Sequence, residues 1–176
     1  AKYFACELTK KSASDNFEKL MMSLADAQVD LNPHQVDAAL FAFNSPFSKG
    51  VILADEVGLG KTIEAGIILS QRWAEGKKKI LVIVPSSLRK QWMQELSEKF
   101  FLPSIILETP IFSKEFKRKN PNPFDRQNEI VICSYNFARN KEDFIRRLNW
   151  DLVVLDEAHH LRNVYRSDNK IARSIR

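Results

Sequence analysis

Two short segments of the chain carry residue types suited to binding a polyphosphate and a metal ion. Residues 53–62 read Leu-Ala-Asp-Glu-Val-Gly-Leu-Gly-Lys-Thr, a glycine-containing turn between an apolar run and a helical pattern. Gly58 and Gly60 allow backbone N–H groups to turn inward around phosphates. Lys61 supplies a positive charge for the outer phosphates, and Thr62 supplies a hydroxyl for a magnesium ion. This segment therefore predicts a phosphate-binding loop.

The second segment, residues 151–159, is an apolar run that leads directly into two carboxylates. Asp156 would hold the magnesium ion together with Thr62, and Glu157 would orient and deprotonate an attacking water. Each segment alone has a plainer interpretation, because glycine turns before helices are common and carboxylates favour helix N-termini. Together, and each after an apolar run, they predict a nucleoside triphosphate site whose catalytic residues are Lys61, Asp156 and Glu157.

One position departs from the usual phosphate-loop pattern, which has glycine where this chain has Asp55. Aspartate tolerates unusual φ values better than most residues. The turn therefore remains feasible with aspartate at this position.

Composition places the chain among ordinary globular proteins. Its 176 residues suffice for one core-forming domain, and 44% are hydrophobic and 28% charged. No apolar run approaches the roughly 20 residues that span a bilayer, and the amino terminus has no signal-peptide pattern. We therefore expect a cytoplasmic protein with no membrane partner, in which Cys6 and Cys133 are free thiols.

The formal net charge of +5 suits a polyanionic partner without requiring one. Basic side chains concentrate in two segments. Residues 114–126 carry five basic side chains and two acidic ones, for which a solvated surface is the favoured interpretation. Residues 158–176 carry five basic side chains and one acidic one, and there a solvated surface and a binding surface are equally favoured.

Apolar runs that alternate with helical patterns predict an α/β fold with a parallel sheet covered on both faces. A Pro- and Asn-rich segment at residues 108–128 is predicted to be an irregular, mobile loop. The predicted strands are residues 51–54, 80–84, 105–107, 130–133 and 152–155. One helix is predicted to begin at Ser14. The other predicted helices run from Asn32-Pro33 to about Phe43, from Lys61 to Ala74, from Leu88 to about Phe100, and from about Lys141 to Leu148. Ser86-Ser87 is the predicted cap of the helix that begins at Leu88.

Five segments of the chain resemble the Swi/Snf family of superfamily-two helicase-like ATPases, with wording similar to bacterial members. They are Leu-Asn-Pro-His-Gln at 31–35, the loop at 53–62, Ile-Val-Pro-Ser-Ser-Leu at 83–88 with Trp92, Val-Ile-Cys-Ser-Tyr at 131–135, and Leu-Asp-Glu-Ala-His-His-Leu-Arg-Asn at 155–163. That family has aspartate where this chain has Asp55. The resemblance implies a RecA-like P-loop lobe over residues 31–176, preceded by an N-terminal helical extension over residues 1–30.

The resemblance also implies roles for individual residues. Gln35 would read the adenine edge, although Asn32 and Gln35 also match a reciprocal helix cap. His159 would join the nucleotide site to the rest of the motor, the alternative being a structural histidine, and His160 has no assigned role. The implied nucleotide-binding residues are Gln35, Asp55, Glu56, Gly58, Leu59, Gly60, Lys61, Thr62 and Ile63. The implied nucleic-acid contacts are Ser86, Ser87, Ser134 and Tyr135, whose plainer alternatives are a helix cap and a polar strand end.

By the same resemblance, the chain would be the first lobe of an ATP-driven, double-stranded DNA translocase that uses ATP and Mg2+. In the family, a Thr- or Ser-containing motif and a second RecA-like lobe follow. The second lobe of the same polypeptide would supply arginines to the γ-phosphate, so this lobe alone would be nearly inactive. The alternatives are a strand-separating helicase or restriction-type motor, and a nucleotide-switched module that binds an unidentified protein partner. A small-molecule kinase is less favoured.

Overall fold

Apolar runs of the chain form the strands of a parallel sheet. The computed structural model describes residues 32–44, 50–53 and 60–161, and within them the sheet has four strands in the order β2-β3-β1-β4. The strands are β1 (Ile80–Val84), β2 (Ser104–Ile106), β3 (Ile130–Ser134) and β4 (Leu152–Leu155). All neighbouring pairs are parallel, which confirms the predicted α/β fold.

The two central strands are apolar throughout because both of their faces are covered. Every residue of β1 and the first four residues of β3 are buried. A strand covered on both faces reads as a continuous apolar run and lacks the alternation of a half-exposed strand. Within the described residues β4 lies at an edge of the sheet, and it is accordingly less buried, with Val153 exposed.

The register of the sheet brings the carboxyl ends of three strands to one edge. Val84 of β1 is paired with Ser134 of β3, and Ile83 of β1 is paired with Leu155 of β4. In open parallel sheets, ligands bind outside the carboxyl ends of the strands. The residues that directly follow β1, β3 and β4 therefore lie where a site would form.

Helices occupy the predicted connections. The helix predicted from Asn32-Pro33 and the helix predicted at residues 61–74 are both present. The second ends before Gly76, whose φ of +80° suits the end of a helix. The helices are α1 (Pro33–Asn44), α2 (Lys61–Ala74), α3 (Arg89–Phe100), α4 (Thr109–Lys117), α5 (Tyr135–Asn140) and α6 (Glu142–Arg146), and a 3-10 helix covers Ala158–Leu161.

The chain divides into two compact units between Gln71 and Arg72. In the first unit, buried apolar side chains come from α1 and α2, and they include Ala39, Ala65, Ile67 and Leu69. In the second unit, one core cluster joins the sheet to α4 and α5, and its members are Leu81, Ile83, Leu107, Phe112, Phe124, Val131, Cys133, Tyr135, Phe137 and Ala138.

Two of the predicted strand positions need correction. Residues 51–53 have no strand conformation, so the strand predicted at residues 51–54 is wrong where the structure describes it. An apolar run this short looks the same whether or not a neighbouring strand pairs with it. β2 begins one residue earlier than predicted, and the N–H of Leu107 still donates to Ile132 O at 2.8 Å.

The predicted serine cap of α3 is also wrong. α3 begins at Arg89, and its N-cap residue, Leu88, makes no side-chain hydrogen bond to the helix. Residues 86–88 form a turn, in which the N–H of Leu88 donates to Pro85 O at 3.0 Å. The cap prediction failed because this turn separates the serines from the helix.

The segment at residues 108–128, predicted to be an irregular loop, contains α4. Pro110 lies in the first turn of α4, where its missing N–H costs no helical hydrogen bond. Phe112 and Phe116 lie four residues apart on the helix, with their rings stacked at 6.1 Å. A first-turn proline followed by apolar residues at helical spacing was the signal that could have predicted this helix.

The residues after α4 are held by side-chain contacts. Phe124 is fully buried in the core of the second unit. The side chain of Asn122 donates to Phe144 O at 2.8 Å and accepts from the N–H of Phe124 at 3.1 Å. Arg126 forms ion pairs with Glu115 and Glu129. The Pro- and Asn-rich composition therefore encodes a set of defined turns.

The helical stretch predicted at residues 141–148 is α6, which begins at Glu142 and ends at Arg146, and a second short helix, α5, which was not predicted, directly precedes it. Ser134 is the N-cap of α5, and its Oγ accepts a hydrogen bond from the N–H of Phe137 at 3.3 Å. Lys141 separates the two helices, and its Nζ lies 4.4 Å from the centre of the Phe112 ring.

The helix predicted from Ser14 lies outside the described residues. Among the residues that the structure does describe, none of the helices combines the length and the hydropathy needed to cross a membrane.

Candidate active site

The start of α2 has a backbone conformation that glycine supplies most readily. Gly60 has a φ of +90°, and its carbonyl accepts hydrogen bonds from the N–H groups of Ile63 and Glu64 at 2.7 and 3.1 Å. A Cβ atom at Gly60 would lie 2.4 Å from Nε2 of Gln35. The φ angle therefore favours glycine at this position, and a side chain here would also require the amide of Gln35 to move. Lys61 and Thr62 follow in the first turn of α2 and are half-buried.

Gln35 is the predicted adenine-reading residue, and its side chain is 4% exposed. Its Oε1 accepts a hydrogen bond from the backbone N–H of Asn32 at 3.2 Å, which is one half of the reciprocal cap. Its Nε2 faces Gly60. The structure thus supports the capping interpretation directly, and the same side chain lies beside the last glycine of the predicted phosphate loop.

A cleft of about 460 Å³ lies in the first unit, beside α1 and the start of α2. This volume is within the range of small-molecule sites, roughly 300–1,000 Å³. Glu64, which is completely buried, forms part of the wall. The lining residues are His34, Asp37, Ala38, Phe41, Ile52, Leu53 and Glu64.

The remaining predicted loop residues, Asp55, Glu56, Gly58 and Leu59, lie outside the described residues. Their roles in nucleotide binding stay predictions.

In the second unit, Asp156 follows β4 at the carboxyl edge of the sheet. Its N–H donates to Ile83 O at 3.0 Å, which extends the pairing of β4 with β1 by one residue. Its Oδ2 accepts a hydrogen bond from the indole N–H of Trp92 at 2.8 Å, and its Oδ1 accepts one from the N–H of Glu157 at 2.9 Å. Its carbonyl oxygen accepts a hydrogen bond from the hydroxyl of Tyr135 at 2.6 Å. Backbone and carboxylate are both held in place.

Glu157 adopts a φ of +53°, a left-handed conformation that is uncommon for residues other than glycine. Such conformations cost of order 1–3 kcal/mol and are concentrated at functional sites. One carboxylate oxygen of Glu157 lies 2.9 Å from Nδ1 of His159, and both side chains are about half exposed. Glu157 is therefore accessible to solvent and has a defined neighbour.

The predicted nucleic-acid contacts fall into two groups. Ser86 and Ser87 are exposed in the turn after β1, and neither caps α3. Ser134 caps α5 and is half-buried, and Tyr135 is 5% exposed with its hydroxyl bonded to Asp156. The hydroxyls of Ser86 and Ser87 are thus accessible, whereas those of Ser134 and Tyr135 already make hydrogen bonds at the carboxyl edge of the sheet.

Burial raises the pKa of the Tyr135 phenol well above its ordinary value, and the neighbouring carboxylates of Asp156 and Glu157 act in the same direction. The phenol therefore remains a hydrogen-bond donor to Asp156 O across the physiological pH range. Burial likewise raises the pKa of the Cys133 thiol to about 12, with a smaller opposing effect from Arg89. Cys133 is free, as predicted, and Cys6 lies outside the described residues.

Comparison with known proteins identifies the family. A family model described as the SNF2-related domain matches residues 17–176 of the chain. The chain belongs to the SNF2-related family.

Relatives of this SNF2-related chain include RNA polymerase-associated proteins RapA from Yersinia pseudotuberculosis and Yersinia enterocolitica. Each is 38% identical over 156 residues, which cover 86% of this chain and 16% of the relative. The chain therefore spans about a sixth of the length of these relatives.

A solved structure with a similar fold is the Sulfolobus solfataricus SWI2/SNF2 ATPase core in complex with dsDNA. Its TM-score to this chain is 0.68 at 25% identity, covering 85% of this chain and 30% of that structure. The match confirms the RecA-like lobe expected from the resemblance to Swi/Snf ATPases.

One residue of this SNF2-related site had no role assigned from the sequence. Trp92 was part of the family resemblance, yet its contact with Asp156 joins residues 64 positions apart. A buried indole N–H needs a hydrogen-bond acceptor, and this was the signal in the sequence. Nothing in the spacing of the residues indicated which acceptor it would be.

Proposed function

We propose that the chain is the ATP-binding lobe of a nucleic-acid-dependent ATPase, a Swi/Snf-type double-stranded DNA translocase. Residues 31–176 would form the first RecA-like lobe, and residues 1–30 a helical extension before it. The observation that carries the proposal is membership of the SNF2-related family together with the position of Asp156 and Glu157 directly after β4.

The residues of the first unit fit a nucleotide. Gly60 has a backbone conformation that favours glycine, directly before the N-terminus of α2, which is a favourable position for phosphate. The cleft beside α1 has the volume of a small-molecule site. Lys61 would pair with the outer phosphates, and Gln35 would contact the base.

Thr62 and Asp156 would hold the magnesium ion, which suits one or two protein oxygens combined with phosphate oxygens. Bound magnesium would stabilise the negative charge that develops on the transferred phosphoryl group. Glu157 would accept a proton from the attacking water, and its exposed carboxylate is suited to that role. His159, 2.9 Å from Glu157, would fix the direction of that carboxylate.

Full activity would require the second RecA-like lobe of the same polypeptide. An arginine supplied to a phosphoryl-transfer site is worth about 10³–10⁵ in rate. The 176-residue chain by itself should therefore bind Mg-ATP far better than it hydrolyses it.

Double-stranded DNA is the proposed nucleic-acid partner. Support comes from the Sulfolobus relative, which was solved with dsDNA, and from the exposed hydroxyls of Ser86 and Ser87 at the carboxyl edge of the sheet. Backbone-directed hydroxyls position a protein on nucleic acid without reading its sequence. Because the RapA relatives are RNA polymerase-associated, a polymerase is the first class of protein partner to test. A cytoplasmic location is consistent with such partners.

The test is the ATPase activity of the full-length protein with duplex DNA, single-stranded DNA or RNA as separate activators. A translocase should be stimulated most by duplex DNA and should displace a triplex-forming third strand while leaving the duplex intact. Release of labelled single strands at the rate of ATP turnover would replace the translocase with a helicase. Nucleotide binding without turnover under any condition would favour a nucleotide-switched binding module.

A further inference from the structure

Trp92 is buried on α3, with 3% of its surface exposed, and its indole N–H donates to Oδ2 of Asp156 at 2.8 Å. Burial alone does not require this acceptor. Trp150, the other tryptophan with a described indole hydrogen bond, donates to the backbone carbonyl of Ile145 at 3.0 Å. A carbonyl thus satisfies the half-buried indole of Trp150, whereas the indole of Trp92 is bonded to the carboxylate that would hold magnesium.

The bond leaves Asp156 able to bind a cation while fixing its direction. A carboxylate oxygen has two lone-pair positions, and in Asp156 one on each oxygen is used by Trp92 and by the N–H of Glu157. The hydroxyl of Tyr135 holds the backbone of the same residue. Partners of this kind orient metal-binding side chains in many proteins.

The two residues that hold Asp156 are also connected to the segments proposed to contact nucleic acid. The N–H of Trp92 donates to Leu88 O at 2.9 Å, the last residue of the turn that carries Ser86 and Ser87. The side chain of Arg89 ties the same turn to the helix, donating from Nε to Ser86 O at 3.0 Å. Displacement of this turn would therefore be transmitted to the indole through backbone hydrogen bonds.

Tyr135 provides a second connection of the same kind. It is the first residue of α5, directly after Ser134 and the carboxyl end of β3. The two segments that follow β1 and β3 thus each send one hydrogen bond to Asp156, from Trp92 and from Tyr135.

Resting on the proposed function, we infer that Trp92 and Tyr135 are positioning residues that couple the turn at residues 85–88 and the start of α5 to the magnesium carboxylate of Asp156. Through them, contact of the Ser86-Ser87 turn with a phosphate backbone stabilises the orientation that Asp156 has in this structure. Nucleic acid would in this way raise the affinity of the site for magnesium, and magnesium would reciprocally favour the nucleic-acid-bound arrangement.

The test uses the full-length protein and the variant Trp92→Phe, which keeps an aromatic ring and removes the indole N–H. The magnesium concentration for half-maximal ATP turnover should rise about tenfold, in line with the loss of other partners of metal ligands. Stimulation by duplex DNA should fall with it, while the affinity for duplex DNA, measured without nucleotide, stays unchanged. A merely structural tryptophan would leave the magnesium requirement unaltered.

Trp150→Phe is the matched control, because it removes an indole hydrogen bond of similar length that does not reach the site. It should leave the magnesium requirement and the stimulation by DNA as in the wild type. If Trp92→Phe gives the same magnesium requirement as Trp150→Phe, the inference is wrong.

Tyr135→Phe protects the test against a Trp92 variant that fails to fold. It removes one hydroxyl from a buried ring and should raise the magnesium requirement by a smaller factor than Trp92→Phe. A folded Tyr135→Phe protein with the wild-type magnesium requirement would show that Tyr135 does not couple to the site. If Trp92→Phe does not fold, the same result would overturn the whole inference. Absence of magnesium-dependent, DNA-stimulated turnover in the wild type would instead refute the proposed function.

Discussion

The start of α2 and the carboxyl edge after β4 are both suited to a charged ligand, but they are built differently. At the start of α2 the important features belong to the backbone, namely the φ of Gly60 and the N–H groups of the first helical turn. At the edge after β4 the important features are side chains, since Asp156 is held by Trp92 and Tyr135 from other elements. The first region should therefore be sensitive to local substitutions and the second to distant ones.

The largest expected effect is on the second region. Glu157→Gln in the full-length protein should reduce ATP turnover by a factor of about 10²–10⁴, the usual contribution of a general base, while nucleotide affinity is kept. Asp156→Asn should lose magnesium-dependent nucleotide binding as well. Steady-state turnover and equilibrium titration with and without magnesium separate the two roles. Near wild-type turnover in Glu157→Gln would show that another residue is the base.

The next effect tests the backbone character of the first region. Gly60→Ala should destabilise the protein by about 1.5–3.5 kcal/mol, because left-handed strain adds to the cost of displacing the Gln35 amide and its hydrogen bond to Asn32. Gly76→Ala is the matched control, since Gly76 also has a positive φ but has nothing within 4 Å of the Cβ position. It should cost only the strain, about 1–2 kcal/mol.

Denaturant unfolding of both glycine variants measures the difference. Adding Gln35→Ala to Gly60→Ala should recover part of the loss, because the clashing amide is removed. Equal costs for Gly60→Ala and Gly76→Ala would mean that the contact with Gln35 is unimportant.

Lys61→Ala should weaken binding of Mg-ATP by at least about tenfold, through loss of a charge-assisted partner worth about 1.5–3 kcal/mol. Calorimetric titration of the wild type, Lys61→Ala and the exposed-lysine control Lys90→Ala measures this. Only the first variant should differ from the wild type. Equal affinities in all three proteins would remove Lys61 from the site.

The smallest effect concerns the thiol buried in β3. The pKa of Cys133 is raised in the folded protein from a reference value of 9.0 to about 12, so its contribution to stability is complete below pH 9. Above pH 9 the unfolded thiol ionises while the folded one does not, and stability falls by at most about 1.4 kcal/mol per pH unit. The loss is complete when the pH passes the folded pKa.

Cys133→Ala lacks this titration. The difference in unfolding free energy between wild type and variant should therefore shrink by about 1–2 kcal/mol between pH 8 and pH 10.5. Denaturant unfolding at the two pH values measures it. A difference that does not change with pH would mean that the thiol ionises equally in both states.

The elements that the sequence predicted well have clear physical signals. β1 and β4 are continuous apolar runs, and β1 is ended by Pro85, so their predicted boundaries match the structure. α2 is ended near Gly76. α4 was missed because proline and asparagine were read as loop composition, although the first-turn position of Pro110 is compatible with a helix.

For the site, the sequence indicated which residues carry chemistry but could not indicate what holds them. The sequence could suggest the capping contact between Asn32 and Gln35 because the two residues are only three positions apart. The contacts of Trp92 and Tyr135 with Asp156 depend on strand order and register, which no pattern in a single sequence encodes. The positive φ of Glu157 was equally invisible, because glutamate has no preference for that conformation.

The order of strands in the sheet has a consequence for synthesis on the ribosome. β1, whose five residues are all buried, pairs with β3 and β4, which both come much later in the chain. Until those strands have been translated, β1 exposes an apolar run and unpaired backbone on both sides, a state prone to aggregation. Pairings between distant strands also form slowly. Ribosome pausing before residue 155, or truncation of the coding sequence there, would leave this nascent chain dependent on chaperones.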